Sequence, residues 1–352
     1  MEYKCGRGAR NEEVPRFSSP SWSLVVCLPL LPITPLPQTR RTRHRLALAA
    51  LGVILLAALS CSRDRGPQTA FDGQAALGYV KAQLDIGTRV PGTPTHDRTG
   101  DWIAGQMRAR ADTVIDQRWT HITINGDSLP LRNILARFRP TATDRVLYVT
   151  HWDTRPTSDG ATDSAQRALP MPGANDGASG VALFIALADV LKKTPPTVGV
   201  DLLFVDGEDY GDFSKNQDVL LGSAYFAKHL PSDDYRPLYG VLWDMIGDAQ
   251  LQIYQEGNSL HRAPEVVSRV WQTAHDLHYD DYFLAQSGQT IIDDHVPLLD
   301  AGLRVIDVID IDYPSPGHGS YHHTPQDTYD KLSAHSFQVV GDVATALVIA
   351  QQ

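Results

Sequence analysis

Apolar residues along the chain fall into two kinds of run. Short, continuous runs rich in valine, isoleucine and leucine are typical of buried strands, and longer runs with a helical period are typical of helices. This pattern predicts strands at residues 114–124, 132–138, 146–149, 200–205, 238–243, 251–254 and 303–311, helices at residues 71–84, 101–111, 181–191, 264–277 and 336–350, and a loop at residues 89–96. Strands that alternate with helices predict an α/β fold: one domain at residues 70–352, with a central mixed, mostly parallel sheet and helices on both faces.

Polar residues follow several of these predicted strands directly. His151, the Glu208–Asp209 pair and Asp244 each come at or just beyond the end of a strand. An open α/β sheet places its chemistry beyond the carboxyl ends of its strands. Because histidine and carboxylate side chains are ligands for zinc and harder metals, these positions predict a metal site at one edge of the sheet.

Three further positions complete the candidate set. Asp176 lies in a glycine-rich segment before an apolar helix, Asp293 begins an Asp-Asp-His run, and His323 lies in a Gly/Pro-rich loop after the last long strand. Plain structural interpretations exist: Asp176 could cap the helix that follows it, and the Glu-Asp pair could be a solvated turn. The recurrence of acidic residues and histidine at the ends of separate strands favours a functional site.

Neighbouring acidic residues indicate a division of roles. Of the adjacent Glu208 and Asp209, one carboxylate could bind metal while the other moves protons. Asp153 follows His151 by two residues, a spacing that could place both side chains on one side of the chain. It could therefore orient the imidazole, as carboxylates next to metal-binding histidines do.

The composition of the chain argues against some classes of binding partner and limits the side chains that could hold a metal. The chain has 352 residues, with 31 Lys plus Arg, 41 Asp plus Glu and a net charge of -10. This balance argues against nucleic acid or an anionic membrane surface as the main partner. All three cysteines, Cys5, Cys27 and Cys61, lie in the first 61 residues. A metal in the body of the chain must therefore be held by histidine and carboxylate.

The amino terminus has the pattern of an export signal. A basic cluster at residues 40–45 precedes an apolar run at residues 46–59, and small residues lead to Cys61. This order is typical of a bacterial lipoprotein signal; the alternative is a short membrane anchor that is never cleaved. We expect a leader at residues 1–61, a lipid anchor on Cys61, a polar tether at residues 62–69, and a body in the periplasm or cell envelope.

From about Phe71 to the carboxyl terminus, the chain resembles the superfamily that holds the zinc aminopeptidases with paired metals and the glutaminyl cyclases. Within it, the bacterial cyclases of the animal type are the most similar. The segments that carry the resemblance are Arg89–Gly92, His151–Pro156, Gly173–Val181, Glu208–Gly211, Leu221–Ser223 and Asp293–His295. The fold implied is a zinc aminopeptidase-like α/β domain.

The resemblance also implies a role for each candidate residue. Asp176, Asp209 and His323 would hold the catalytic zinc, and Glu208 would be the acid/base that moves the proton. The acidic hydrogen-bond partners of the cyclase reaction would be the two remaining carboxylates, Asp244 and Asp293.

The number of zinc ions depends on the branch of the superfamily. In the aminopeptidases, the positions of His151 and Asp244 are ligands of a two-zinc site that Asp176 bridges. This chain has a metal-binding side chain at each of these positions. The residues therefore permit either the single zinc that a cyclase implies or the two zinc ions of an aminopeptidase. Asp293 favours the cyclase branch, because the aminopeptidases usually have serine at that position.

Two positions depart from the cyclase pattern. His322 stands where a pocket tryptophan is usual, and Asp307 stands at the position of a pocket histidine, where bacterial relatives often have aspartate. The resemblance implies an enzyme that converts the amino-terminal glutamine of a peptide or protein to pyroglutamate and ammonia. A two-zinc aminopeptidase with Glu208 as general base is the alternative. A non-catalytic binding module is a third, which the presence of Glu208 and all ligands disfavours.

Overall fold

A computed structural model describes residues 69–314 and 320–349 of the chain. The predicted leader with Cys61, and the predicted tether up to Gln68, lie outside the described residues, so the export signal and the lipid anchor stay predictions. Among the helices of the described ranges, none combines the length and the apolar character that crossing a membrane requires.

Eight strands and nine α-helices make up the described ranges. The strands are β1 (Thr113–Ile122), β2 (Ser128–Phe138), β3 (Arg145–His151), β4 (Gly199–Val205), β5 (Tyr239–Asp244), β6 (Ile253–Gln255), β7 (Phe283–Ser287) and β8 (Val305–Ile309). The helices are α1 (Gly73–Ile86), α2 (Pro94–Arg108), α3 (Ser164–Arg167), α4 (Ala178–Lys193), α5 (Leu221–Lys228), α6 (Gly257–Arg262), α7 (Pro264–Asp276), α8 (His295–Asp300) and α9 (Ala334–Ala346). A single 3-10 turn at Tyr329–Lys331 precedes α9.

Six of the strands form the central sheet in the order β1-β2-β4-β3-β5-β8. Strands β4, β3, β5 and β8 run parallel, whereas β2 is antiparallel to both β1 and β4. The prediction of a mixed, mostly parallel sheet is confirmed, and β1 lies at one edge of that sheet. Since β3, β4 and β5 are neighbours that run in the same direction, their carboxyl ends meet at one edge of the sheet.

Helices cover both faces of the sheet, and the side chains of β3 show how. Val146 and Tyr148 join a large apolar cluster with α1, α4, α7 and α9, while Leu147 and Val149 join a second cluster on the other face with Phe226 of α5. This alternation follows from the two-residue period of a strand. Helix α4 is buried on nearly every side because it packs against β3, α1 and α9, which explains its continuous apolar sequence.

Most elements begin or end a few residues from the predicted positions, and three of the differences have a clear physical cause. Helix α2 begins at Pro94, inside the predicted loop, because the Thr93 side chain accepts a hydrogen bond from the His96 N–H and proline suits the first helical position. Strand β8 is shorter than predicted, since β5, its neighbour in the sheet, has only six residues with which to pair. The strand at Ile253 lies outside the central sheet and pairs with β7, a strand that no apolar run had indicated.

Candidate active site

The carboxyl ends of β3, β4 and β5 bring the candidate residues to one edge of the sheet. His151 is the last residue of β3, Asp244 is the last of β5, and Glu208 and Asp209 follow β4 after a sharp turn at Gly207. A cavity of about 320 Å³ opens at this edge. It is lined by Asp176, Glu208, Phe213, Asp244, Ile291, Ile292, Asp293, Ile309, Ile311, His322 and His323.

Asp176 lies between two groups of possible metal ligands. Its Oδ1 is 3.0 Å from Nε2 of His151, and that nitrogen is 3.2 Å from Oδ1 of Asp244. Its Oδ2 is 3.8 Å from Nε2 of His322 and 3.7 Å from Nε2 of His323. Within each group, one ligand atom per residue lies within 4.8 Å of the others. Because Oδ2 has no hydrogen-bond partner among the described residues, and because zinc prefers imidazole and carboxylate donors, these residues fit a zinc ion.

The predicted ligand Asp209 lies beside His323, with 3.4 Å between Oδ1 and Nε2. Its Oδ2 is buried and has no hydrogen-bond partner in the described part of the chain. The compact group around Asp176, however, contains His322 rather than Asp209. Burial and the neighbouring His323 lower the pKa of His322 to about 4, which favours the neutral imidazole that binds metal. His322 is therefore a further ligand candidate that the sequence had indicated only as a pocket residue.

Arg155 and Asp159 hold this end of the site in place. Arg155 donates hydrogen bonds to the Asp209 carboxylate, to the Gly211 carbonyl at 2.8 Å and to Asp159 at 2.9 Å. Oδ1 of Asp159 lies 3.4 Å from Nδ1 of His323, on the far side of the ring from Asp176. Although burial opposes it, Asp209 and Asp159 raise the pKa of His323 to about 10. No sequence pattern singled out Asp159, since only the fold brings it to the histidine.

Glu208 is a buried carboxyl at the base of the cavity. Its Oε2 lies 3.7 Å from Nδ1 of His151. Burial, with the charges of Asp209 and Asp293, raises the pKa of Glu208 well above its usual value, against the opposing effect of His151. Asp153, which was expected to orient His151, lies 3.6 Å from its Nδ1 and accepts hydrogen bonds from the backbone N–H groups of Glu208 at 3.1 Å and Asp209 at 3.2 Å. Asp153 therefore holds the turn that carries the acid/base candidate.

Beside Glu208, the predicted Asp293 and Asp244 belong to a larger buried acidic group. Its other members are Asp294 and Asp307. Burial is the main cause that raises the pKa of each, to about 7 for Asp294, and mutual repulsion among the carboxyls adds to it. The Ser223 hydroxyl donates a hydrogen bond to Asp294. Burial and the nearness of like charges favour the protonated form of these carboxyls, and a protonated carboxyl can donate as well as accept a hydrogen bond.

Behind the acidic group lies a buried histidine that the sequence had marked only as part of the Asp-Asp-His run. His295 is fully buried, with Nε2 at 3.3 Å from Glu256 and Nδ1 at 3.9 Å from Asp307. Glu256 stands just after the short strand β6, and nothing in the local sequence pointed to it. These side chains connect α6, α8 and β8 beneath the cavity.

Arg89 fixes the loop that delivers Asp176. This arginine is fully buried, and its guanidinium donates hydrogen bonds to four main-chain carbonyls: Trp152 at 3.2 Å, Pro172 at 2.9 Å, Gly173 at 2.5 Å and Asp176 at 3.2 Å. Gly173 has a φ of +66°, and a Cβ there would come within 2.5 Å of Nη2 of Arg89. Only glycine therefore fits this close approach.

Asp176 does not cap helix α4. The residue at the cap position is Gly177, with a φ of +87°, and no side chain makes a capping hydrogen bond there. The alternative interpretation of Asp176 as a helix cap is therefore wrong. The Asp176 backbone is instead held by Asp327, which accepts hydrogen bonds from the N–H groups of Asn175 at 2.8 Å and Asp176 at 3.1 Å. The Asp176 side chain is left facing the histidines.

Imidazole and carboxylate ligands beside a buried carboxyl, at the carboxyl ends of parallel strands, define a metal-dependent α/β enzyme. Comparisons with known proteins agree. The sequence profile of peptidase family M28 matches residues 133–348. A glutaminyl cyclase from Bacteroides thetaiotaomicron is 33% identical, with a TM-score of 0.77 over 82% of this chain and 100% of that chain. A zinc-dependent exopeptidase from Parabacteroides distasonis is 31% identical, with a TM-score of 0.76 over 81% of this chain and 100% of that chain.

An aminopeptidase from Bacillus subtilis is 26% identical over 216 residues, which are 58% of this chain and 40% of that protein. The chain thus spans less than half the length of this curated relative. The chain belongs to peptidase family M28, within the superfamily of zinc aminopeptidases and glutaminyl cyclases. The resemblance inferred from the sequence is confirmed, and zinc is the metal that the family and the ligand set support.

Proposed function

We propose that this protein is a glutaminyl-peptide cyclotransferase, which converts the amino-terminal glutamine of a peptide or protein to pyroglutamate and releases ammonia. The observation that carries the proposal is Asp293, a buried aspartate that lines the cavity together with Glu208 and Asp244. The cyclases have aspartate at this position, whereas the aminopeptidases usually have serine. Similarity to a bacterial glutaminyl cyclase over 82% of the chain supports the same function.

In this proposal, each residue has a defined task. Zinc held by Asp176, Asp209 and His323 would polarise the carbonyl of the substrate γ-carboxamide. Glu208 takes a proton from the α-amine, and the amine nitrogen attacks the carbonyl carbon of its own side chain. Glu208 then gives the proton to the departing amide nitrogen, the carbon–nitrogen bond breaks, and ammonia leaves. The acid/base returns to its starting state, so no co-reactant is consumed.

The rest of the cavity positions the substrate. Asp244 and Asp293 provide hydrogen-bond partners for the polar groups at the amino terminus, and Phe213, Ile291 and Ile292 provide an apolar wall. Because attack is intramolecular, the enzyme contributes mainly orientation and electrostatics. A cavity of about 320 Å³ is of a size that suits an amino-terminal residue.

A two-zinc aminopeptidase is the second candidate, and one observation favours it. His151 and Asp244 form a second group of ligand atoms around Asp176, next to the group that contains His323. A second zinc held there would suit hydrolysis of an amino-terminal residue, with Glu208 as the general base for water.

Mass spectrometry on two peptides distinguishes the candidates. The body of the chain from about Pro67, reconstituted with zinc, is offered one peptide that begins with glutamine and one that begins with leucine. We expect loss of ammonia from the first and no change in the second. Release of free leucine would instead establish the aminopeptidase, and no change in either peptide with zinc bound would favour a binding module.

We further propose that the protein is exported and carries a lipid on Cys61. The support is the order of basic, apolar and small residues before that cysteine. Expression of the full chain in a bacterial host should place it in the membrane fraction. A Cys61→Ala variant that stays in that fraction would refute lipid attachment at this residue.

A further inference from the structure

A second cavity, of about 260 Å³, lies next to the active-site cavity. The two cavities share three lining residues, Ile291, Ile309 and Ile311. These isoleucines pack with Met245 and Tyr313 in one apolar cluster, so the wall between the cavities is fixed by packing. A peptide whose first residue occupies the active-site cavity can therefore extend across this isoleucine wall into the second cavity.

The second cavity differs from the first in its polar lining. Tyr254 and Gln289 line it, and Glu256 lies at its base. The Glu256 carboxylate already accepts hydrogen bonds from the backbone N–H groups of Asn258, Ser259 and Ile291, so it is committed to holding its own loop. Specific contact with a bound side chain must then come from the other polar groups.

Asp312 is the charged group at this cavity that is available to a ligand. It is half-buried and lines the cavity, and no hydrogen bond or ion pair joins its side chain to another described residue. None of the described residues that line the cavity is lysine or arginine. A carboxylate without a cationic partner, set in a partly apolar cavity, attracts a basic side chain with an apolar stem.

We propose that the second cavity binds the side chain of the substrate residue that follows the amino-terminal one, and that Asp312 selects a basic residue there. This inference rests on the proposed function only in assuming a peptide substrate that enters amino terminus first. Consecutive residues of an extended chain lie about 3.5 Å apart. Because the two cavities share three lining residues, the residue after the amino-terminal one is the first whose side chain can enter the second cavity.

The test compares tripeptide amides Gln-Xaa-Ala in which Xaa is lysine, methionine or glutamate. Two unit charges about 4 Å apart in water interact by about 1 kcal/mol, which corresponds to about fivefold in kcat/KM. We expect the lysine peptide to exceed the methionine peptide by about that factor, and the glutamate peptide to fall below it by a similar factor. Asp312→Asn should remove the difference between the charged peptides, and Asp312→Lys should reverse it.

Two controls isolate the effect of the charge. A Gln-Gly-Ala amide has no second side chain, so its rate in each enzyme is the reference by which the rates of the charged peptides are divided. Asp233→Asn removes the same charge from an exposed position just before β5, at the opposite edge of the sheet, and should keep the full preference. Equal rates for the lysine and glutamate peptides in the wild-type enzyme, or a preference that persists in Asp312→Asn, would overturn the inference.

The same peptides separate this inference from the proposed function. If they release free glutamine rather than ammonia, the cyclase proposal fails. The ratio of lysine to glutamate peptide rates, measured by the released amino acid, would then still decide whether Asp312 selects the second residue.

Discussion

Replacing Glu208 by glutamine tests the centre of the proposed chemistry. The substitution keeps the shape of the side chain and removes the carboxylate that moves the proton. General acid–base catalysis contributes about 10²- to 10⁴-fold, or about 3 to 5 kcal/mol of barrier. We therefore expect kcat on a glutamine peptide to fall by about 10²- to 10⁴-fold. Glu208 is not in either compact ligand group, so zinc content should not change.

The Glu208→Gln substitution should lower the activity but keep or raise the stability of the fold. Folding buries Glu208 and raises its pKa, so wild-type stability falls as pH rises above the unfolded value of about 4.3. Glutamine cannot ionise, and the variant should melt at the wild-type temperature or above it at neutral pH. Glu265→Gln, an exposed change on α7, is the matched control and should leave kcat unaltered. A Glu208→Gln enzyme within tenfold of wild-type kcat, or one that loses its zinc, would refute the assigned role.

Three further substitutions test Asp159 and Arg89, which support the site, and Asp310, a buried carboxyl just after β8. Asp159→Asn weakens the contact that orients His323, so zinc affinity should fall about 10- to 100-fold in a chelator competition. Arg89→Met leaves four buried carbonyls without their donor and should lower the free energy of unfolding in urea by about 3 kcal/mol or more. Burial raises the pKa of Asp310 to about 8 in the folded protein. In the unfolded chain this carboxyl ionises at about pH 4, so the free energy of unfolding falls as the pH rises from about 4 to about 8. Asp310→Asn should therefore gain stability over wild type at pH 8 relative to pH 5.

Each of these predictions has an outcome that contradicts it. Unchanged zinc affinity in Asp159→Asn would mean that His323 does not depend on this carboxylate. An Arg89→Met protein as stable as an Arg98→Met control, which alters an exposed arginine on α2, would show that the loop is held by other contacts. A stability difference for Asp310→Asn that is the same at both pH values would place the titrating group elsewhere.

The buried strands and the apolar helix α4 could be predicted, because a continuous run of apolar residues in the sequence is enough to indicate each of them. The continuous apolar run of β4 requires burial on both faces, and the run that became α4 requires a helix surrounded by other elements. The ends of the strands were less predictable, because a strand ends where its pairing with a neighbouring strand ends. Strand β8 stops where the pairing with β5 ends, and β7 has mostly exposed residues, so its pairing with β6 left no apolar run to detect.

Among the candidate site residues, position after a strand was enough to place His151, Glu208, Asp209 and Asp244 at one edge of the sheet. Parallel strands end at the same edge of a sheet, so the residues that directly follow them meet there whichever contacts their side chains make. The contacts that tune them could not be found in this way. Asp153 lies 3.6 Å from Nδ1 of His151, where it was expected. Its hydrogen bonds to the main-chain N–H groups of Glu208 and Asp209 depend on the turn after β4 and could not be found from the sequence.

The order of residues along the chain was sufficient for the α/β class, for the edge of the sheet at which the candidate residues gather, and for histidine and carboxylate as the available metal ligands, because each is set by local pattern and by the direction of the strands. Distances across the cavity were decided only in the tertiary structure. Folding turns His322 towards Asp176, places Asp159 behind His323, buries His295 between Glu256 and Asp307, and joins a second cavity to the first. These pairs are far apart in sequence or lie in irregular loops, where no periodicity specifies which side chains meet.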